Sequence, residues 1–296
     1  MGDSESGHRI DLHVHSSASD GTLSPAALMA AASEAGLDIV ALTDHDTLAG
    51  WDEAFAACPP GLTVIAGLEL SCVYTASGQR PISVHLLGYL VDPEHAGLAA
   101  ELARLRASRL ERAATMVARL VDAGYPIGWD RVHEIAGGGS VGRPHIGRAL
   151  VEAGVVASVD AAFVDLLATG GRFYVSKADL DAVAGVELIT AAGGVAVMAH
   201  PAAGRRGRVV GEEGIVALAD TGLAGLEVDH PDHLPAERDR LRALAGRLGL
   251  LVTGSSDFHG ANKVNRLGEC MTEPSAYAEL VARAWGNRPF SVGSTG

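Results

Sequence analysis

Aromatic side chains are scarce, with five Phe, five Tyr and three Trp among 296 residues. A core must therefore be assembled from Ala, Val, Leu and Ile. The 48 % of hydrophobic residues supply enough of them for one large domain, or for a domain carrying a sizeable insertion. That share of apolar residues excludes a disordered chain. Lysine is almost missing: apart from Lys177 and Lys263, every basic side chain is Arg. Basic character as a whole is also lacking, since 36 Asp and Glu outweigh 23 Lys and Arg to leave a net charge of −13. Such a balance argues against gripping a DNA duplex or long RNA through many phosphates. It still permits one small anion in a local site, above all if bound metal ions reverse the charge there.

Cysteine is limited to Cys58, Cys72 and Cys270, an odd number without a CxxC pair. Free thiols in a reducing compartment follow. The N-terminal MGDSESGHRI is polar, and no apolar run is long enough to span a bilayer. A cytoplasmic protein with no membrane partner is expected. A GxSxG motif is absent as well, so nothing marks a serine nucleophile of that type.

Alternation predicts a strand over 9–15, 38–46 reads as a second, buried strand, and 63–71, 82–91, 194–200, 225–230 and 250–259 read as further strands. A helix is predicted over 24–36, with Ser24 as N-cap, Pro25 in the first turn and Gly36 at the stop. Residues 97–123 form a long helical stretch, and 129–193 continue mostly helical. Strands alternating with helices imply a mainly parallel sheet or a barrel. The expected division is a barrel over 8–96 and 186–296, interrupted by a helical insertion over 97–185.

Six of the twelve histidines, His13, His15, His45, His85, His200 and His259, stand at or near predicted strand ends. Asp20, Asp44, Asp46, Glu69 and Asp257 accompany them. Catalytic groups of barrel enzymes gather at that face. His13 and His15 are two apart, as are Asp257 and His259, so each pair projects from one side of its strand. Such pairs from opposite ends of the chain can face each other once a barrel closes. Imidazole mixed with carboxylate suits manganese, iron or zinc. On a continuing strand Asp44 and Asp46 point away from His45, which favours a supporting role.

Taken together, DLHVHSSASDG, ALTDHDT, GLELS, VHLLGY, MAHP and GSSDFHG resemble the motifs of the PHP (polymerase and histidinol phosphatase) family. The similarity is greatest to its free-standing bacterial branch of nucleoside 3′,5′-bisphosphate phosphatases and 5′-to-3′ exoribonucleases. It implies an α/β fold, a distorted (β/α)7 barrel with a mainly helical insertion, and two to three divalent metal ions. Carried over by motif, His13, His15, Glu69 and Asp257 would hold the first ion. Glu69 would bridge to a second, held also by His85 and His200. Asp20, His45 and His259 would hold the third. The site charge would then be about +2, which draws an anion.

The insertion is expected to supply the substrate groups. Arg143 stands at a predicted helix start and Lys177 just before another, where anions are favoured; the resemblance points to the same two residues. EVDHPDH at 227–233 ends a strand, so His230 or His233 can reach a phosphate, and His233 is placed in the substrate set. His8, His95 and His133 receive no role, and the arginines of 104–119 read as a solvated helix face. The expected reaction is hydrolysis of a phosphate monoester, the 3′-phosphate of a nucleoside 3′,5′-bisphosphate, by a metal-bridging hydroxide. The alternatives are another small ester such as histidinol phosphate or a biosynthetic intermediate, a short RNA cut from its 5′ end, and a non-catalytic metal-binding module.

Overall fold

The structure, a computed structural model, describes residues 7–137, 139–176 and 179–293. The chain opens with β1 (Ile10–Val14), α1 (Pro25–Glu34), β2 (Ile39–Leu42), α2 (Trp51–Ala56) and the long β3 (Thr63–Tyr74). Helix α1 starts where its local chemistry dictates: Ser24 Oγ accepts from Ala27 N at 3.2 Å, and Pro25 needs no partner in the first turn. Strand β4 (Ile82–Tyr89) turns back along β3. Four helices follow: α3 (Ala96–Asp122), α4 (Trp129–Ala136), α5 (Arg143–Glu152) and α6 (Val159–Asp165). The short β5 (Leu180–Asp181) and α7 (Ala182–Ala191) lead back to β6 (Val195–Met198). Next come α8 (Glu212–Asp220), β7 (Gly225–Asp229), α9 (Pro235–Leu248), β8 (Leu251–Gly254), α10 (Pro274–Arg283) and β9 (Phe290–Ser291).

Seven strands pair in the order β1-β2-β3-β4-β6-β7-β8. A bridge between Val14 and Phe258 nearly closes them into a barrel, with His15 N donating to Phe258 O at 2.9 Å. The barrel is distorted because β4 runs antiparallel to both its neighbours, β3 and β6. Inside, Ile10, Leu12, Ile39, Ile65, Leu87, Val195 and Val197 meet in one apolar cluster. Alternate residues such as Val40, Leu42, Val64 and Met198 pack outward with the helices. This two-sided burial explains the continuous apolar runs.

Helix α3 belongs to two cores. Leu98, Leu102 and Leu105 join the barrel's outer cluster, whereas Ala113, Met116, Val117 and Leu120 join a second cluster with Val132, Ile146, Leu150 and Phe173. The boundary expected at 185 falls inside α7, which packs on β3, β4 and β6. Among the described residues, no helix is long and apolar enough to cross a membrane.

Candidate metal centre

Strand β1 delivers His13 and, one residue past its end, His15, both fully buried. Their Nε2 atoms lie 3.0 Å apart. Glu69 Oε2, from β3, is 3.2 Å from one and 3.1 Å from the other. Asp257 Oδ1, after β8, stands 3.4 and 3.5 Å away. Glu69 Oε1 meets His85 Nδ1 at 2.6 Å and His200 Nε2 at 3.1 Å. His85 reaches this end from early in β4 because that strand is reversed: it stands opposite Ser71, just beyond Glu69. Asp20 Oδ1 is 3.3 Å from His259 Nε2 and 3.6 Å from His15 Nδ1, while Asp20 Oδ2 is 3.8 Å from His45 Nε2. All nine expected ligands therefore meet in one cluster, six imidazoles and three carboxylates, at the carboxyl ends of the parallel strands.

A surrounding set of carboxylates aims this cluster. Glu227, buried on β7, accepts from His13 Nδ1 at 2.9 Å, from His200 N at 2.7 Å and from Ser255 Oγ. Asp11 accepts from Ser256 N at 3.0 Å and Gly268 N at 2.9 Å, which ties the segment after β8 to β1. Asp44 holds the Asp20 loop by accepting from Ser16 N and from the hydroxyls of Ser16 and Ser19. Asp46 accepts from Ser71 N at 2.7 Å and from Arg109 Nε. The loop is pressed so close that a Cβ on Gly21 would stand 2.3 Å from the His15 carbonyl oxygen, so only glycine fits. His200 (φ 31) and Asp257 (φ 52) occupy left-handed conformations that non-glycine residues adopt at a cost of ~1–3 kcal/mol, a hallmark of functional positions.

The donor atoms fit a divalent cation better than they fit one another. His13 Nδ1 is engaged by Glu227, so Nε2 is the atom left facing the cluster, where it meets another imidazole nitrogen instead of a clear hydrogen-bond partner. His45 Nδ1 lies 3.2 Å from Glu69 Oε2 yet makes no aligned hydrogen bond. Three groups each bring their donor atoms within 4.8 Å: His15, Asp20, His45 and His259; His13, His15 and Asp257; His45, Glu69 and His85. Burial would raise the Asp257 carboxyl, but Lys263 and Arg206 outweigh it and hold it well below the usual carboxylate range. Burial and Arg206 push His200 down to about 3, so its imidazole is neutral, the state a metal ligand requires.

The expected substrate residues fare differently. Arg143 is the first residue of α5; its Nη1 donates to Leu167 O and Thr169 Oγ1, both at 3.1 Å, and its guanidinium lies over the Phe163 and Tyr174 rings. Lys177 lies outside the described residues. His233 gives Nδ1 to Val228 O at 2.9 Å and accepts from Ala202 N on Nε2 at 3.1 Å, leaving neither nitrogen for a ligand. Its neighbour His230 instead turns Nε2 toward Asp257 Oδ2, at 3.4 Å. The helix face over 104–119 is not simply solvated: Arg109 and Arg112 are 7 % and 6 % exposed. Sequence reasoning passed over Glu227, Asp11, Arg109, Arg206 and Lys263. Arg206 Nη2 and Lys263 Nζ each stand 2.6 Å from Asp257 Oδ2 at the mouth of the site. The one signal for Lys263 was the rarity of lysine.

Comparison with known proteins follows the same outline. A family model described as "PHP domain" matches residues 11–121. The chain is 35 % identical over 255 residues to a 5′-3′ exoribonuclease of Haemophilus influenzae, covering 85 % of this chain and 90 % of that protein. It is 35 % identical over 259 residues to a 3′,5′-nucleoside bisphosphate phosphatase of Chromobacterium violaceum, covering 87 % and 89 %. A crystal structure from Bifidobacterium adolescentis, assigned as a metal-dependent phosphoesterase, superposes with a TM-score of 0.87 at 37 % identity, over 93 % of this chain and 96 % of that one.

Proposed function

Because the chain belongs to the PHP family and is a metal-dependent phosphoesterase, we propose that it removes the 3′-phosphate of a nucleoside 3′,5′-bisphosphate and leaves a 5′-monophosphate. The observation that carries this reading is the pairing of a nine-residue donor cluster with arginines set apart from it on α3 and α5. One phosphate can react at the cluster while a second is held at a distance. His13, His15, Glu69 and Asp257 would hold one ion, Glu69, His85 and His200 a second, and Asp20, His45 and His259 a third. Two to three ions of manganese, iron or zinc suit this mixture of imidazole and carboxylate. Bound there, divalent ions would supply a water of lowered pKa and charge to neutralise the phosphoryl oxygens.

The remaining roles fall to this chain's own side chains. Glu227 fixes the tautomer of His13 so that Nε2 faces the reacting centre. Arg206 and Lys263 carry positive charge to the lip of the site, where a phosphoryl oxygen enters. His230 takes the place expected of His233, since only its Nε2 is turned inward. Residues 97–185, with Arg143 and Lys177, hold the part of the substrate that does not react.

A second reading, 5′-to-3′ cleavage of a short RNA, is favoured by a cationic rim. Arg205 and Arg206 lie in the loop after β6, and Arg208 of the same loop donates to the carbonyls of Arg80 and Pro81 at 2.8 and 2.7 Å. Phosphate release from adenosine 3′,5′-bisphosphate, adenosine 5′-monophosphate, histidinol phosphate and a 5′-phosphorylated oligonucleotide, at equal concentration, separates these readings. The bisphosphate is expected to turn over fastest. Faster turnover of histidinol phosphate refutes the nucleotide assignment and leaves the hydrolase standing; faster turnover of the oligonucleotide selects the second reading.

A further inference from the structure

The two oxygens of Asp257 face opposite surroundings. Oδ1 looks into the donor cluster, 3.4 and 3.5 Å from the Nε2 atoms of His13 and His15. Oδ2 looks at cations: Lys263 Nζ and Arg206 Nη2 each stand 2.6 Å from it, and His230 Nε2 stands at 3.4 Å. The Asp257 side chain is 1 % exposed, so little water screens these contacts. Burial would raise its carboxyl; Lys263 first and Arg206 second overcome that. Arg206 divides its charge, since it also pairs with Asp232 at 2.6 Å.

Lys263 is delivered by a loop built for it. After a single 3-10 turn over Gly260–Asn262, Lys263 is extended (φ −137, ψ 159). Three hydrogen bonds fasten the loop on both sides of it: Ala261 N donates to Thr22 Oγ1 at 2.9 Å, Asn262 Nδ2 to Asp20 O at 2.7 Å and Asn265 Nδ2 to Ser256 O at 2.7 Å. The loop is thereby tied to the segment that carries Asp20 and to the residue just before Asp257. Only two lysines occur in the chain, and an ammonium is a compact point charge that can sit on one carboxylate oxygen without a second acceptor.

Behind a metal ligand the common partner is an acceptor that strengthens the ligand, as Glu227 does for His13. Two cations behind Asp257 do the reverse. They draw charge away from the carboxylate, and they repel any ion that its other oxygen helps to hold. A neutral side chain at 263 would make Asp257 the stronger ligand.

We propose that Lys263 is a positioning residue that acts through Asp257: it keeps Oδ2 turned away from the cluster, lowers the affinity of the ion held with His13 and His15, and so leaves more of the site's positive charge to attract phosphate. The proposal rests on the metal-dependent phosphoesterase reading above and adds to it how tightly one ion is held. Asp232 is its counterweight, because it takes part of the Arg206 charge that would otherwise fall on Asp257.

The test uses full-length wild type, Lys263→Met, Lys263→Arg and Asp232→Asn, stripped with chelator and titrated with manganese while the free ion is followed by electron paramagnetic resonance. Lys263→Met is expected to bind manganese about tenfold more tightly, and Lys263→Arg to stay within about twofold of wild type. Asp232→Asn should bind it about threefold more weakly. In manganese-loaded protein the affinity for inorganic phosphate should fall about tenfold in Lys263→Met, and higher ionic strength should shrink every one of these differences. Unchanged manganese affinity in Lys263→Met overturns the proposal and leaves Lys263 a plain phosphate contact. Weaker manganese binding overturns it as well, since that marks a lysine needed for structure, and so does Lys263→Arg behaving like Lys263→Met. A wild type that takes up no manganese, iron or zinc sinks the metal reading itself; failure of this proposal alone leaves wild-type metal binding intact.

Discussion

At the scale of single residues, the site depends on side chains that touch no substrate. Glu227 is buried, accepts from His13 Nδ1 at 2.9 Å, and also receives His200 N. Burial would raise its carboxyl, but His13, and after it His230 and His200, outweigh burial and hold it well below the ordinary carboxylate range. A carboxylate behind a ligand imidazole fixes both the ring and its basicity. Glu227→Gln keeps the shape but can present an amide N–H to His13, so the imidazole turns or changes tautomer. Metal affinity should fall about 10- to 100-fold, as read by metal analysis after dialysis against a graded series of free manganese. Unchanged affinity would remove Glu227 from the site's construction. Asp46 differs in kind: its carboxylate faces Ser71 and Arg109, and its work is to hold α3.

Among the elements, α3 decides how the two apolar clusters sit. Its first three turns carry Leu98, Leu102 and Leu105 into the barrel cluster, and its last carry Met116, Val117 and Leu120 into the other. Between them Arg109 reaches Asp46, after β2, and Ser71 on β3. Removing one partner of a buried pair leaves the other charge uncompensated, which costs about 3–5 kcal/mol. Arg109→Met should therefore destabilise the protein by about 3 kcal/mol in chemical denaturation. Arg112, one turn along the same helix, is buried with no partner for its Nε among the described residues, so Arg112→Met is expected to act in the opposite direction. Two arginines of one face with opposite effects on stability form a sharp comparison, because helix propensity and length are unchanged. A Cβ on Gly139 would stand 2.5 Å from Ser17 O, so the loop after α4 also packs directly on the loop that carries Asp20.

Over the whole molecule, charge is divided unevenly. The chain carries −13, yet one end of the barrel gathers Asp20, Glu69, Asp257, Glu227, Asp11, Asp44 and Asp46 in buried positions. So many carboxylates in a low-dielectric interior repel one another, and cations are the natural counterweight. Arg206, Lys263 and Arg109 supply part of it. Metal ions bound only by the folded state would supply more and would link stability to metal. Exhaustive chelation should lower the melting temperature by roughly 10 °C, and manganese added back should restore it. That shift corresponds to free metal about a thousandfold above its dissociation constant. Identical melting curves in chelator and in manganese would refute a structural share for the ions.

How much of this was legible beforehand follows from the range of the interactions. Strand positions, the Ser24 cap of α1 and the order of the nine cluster residues come from local patterns: alternation along a strand, a hydroxyl before a helix, pairs spaced by two at strand ends. Local rules act over a few residues, so the chain spells them out. The helix beginning at Ala96 was legible too, but not the burial of its arginines, because a polar residue at one position reads the same whether solvent or a second core faces it. Glu227 meets His13 across 214 positions of sequence, and Lys263 and Arg206 converge on Asp257 from different loops. His230 and His233 stand three residues apart, and only the path of the loop turns one inward and gives the other to Val228 and Ala202. Side-chain chemistry along the strands determined which atoms could bind a metal. Barrel closure decided which of them meet, since only tertiary packing sets the direction and burial of groups far apart in the chain.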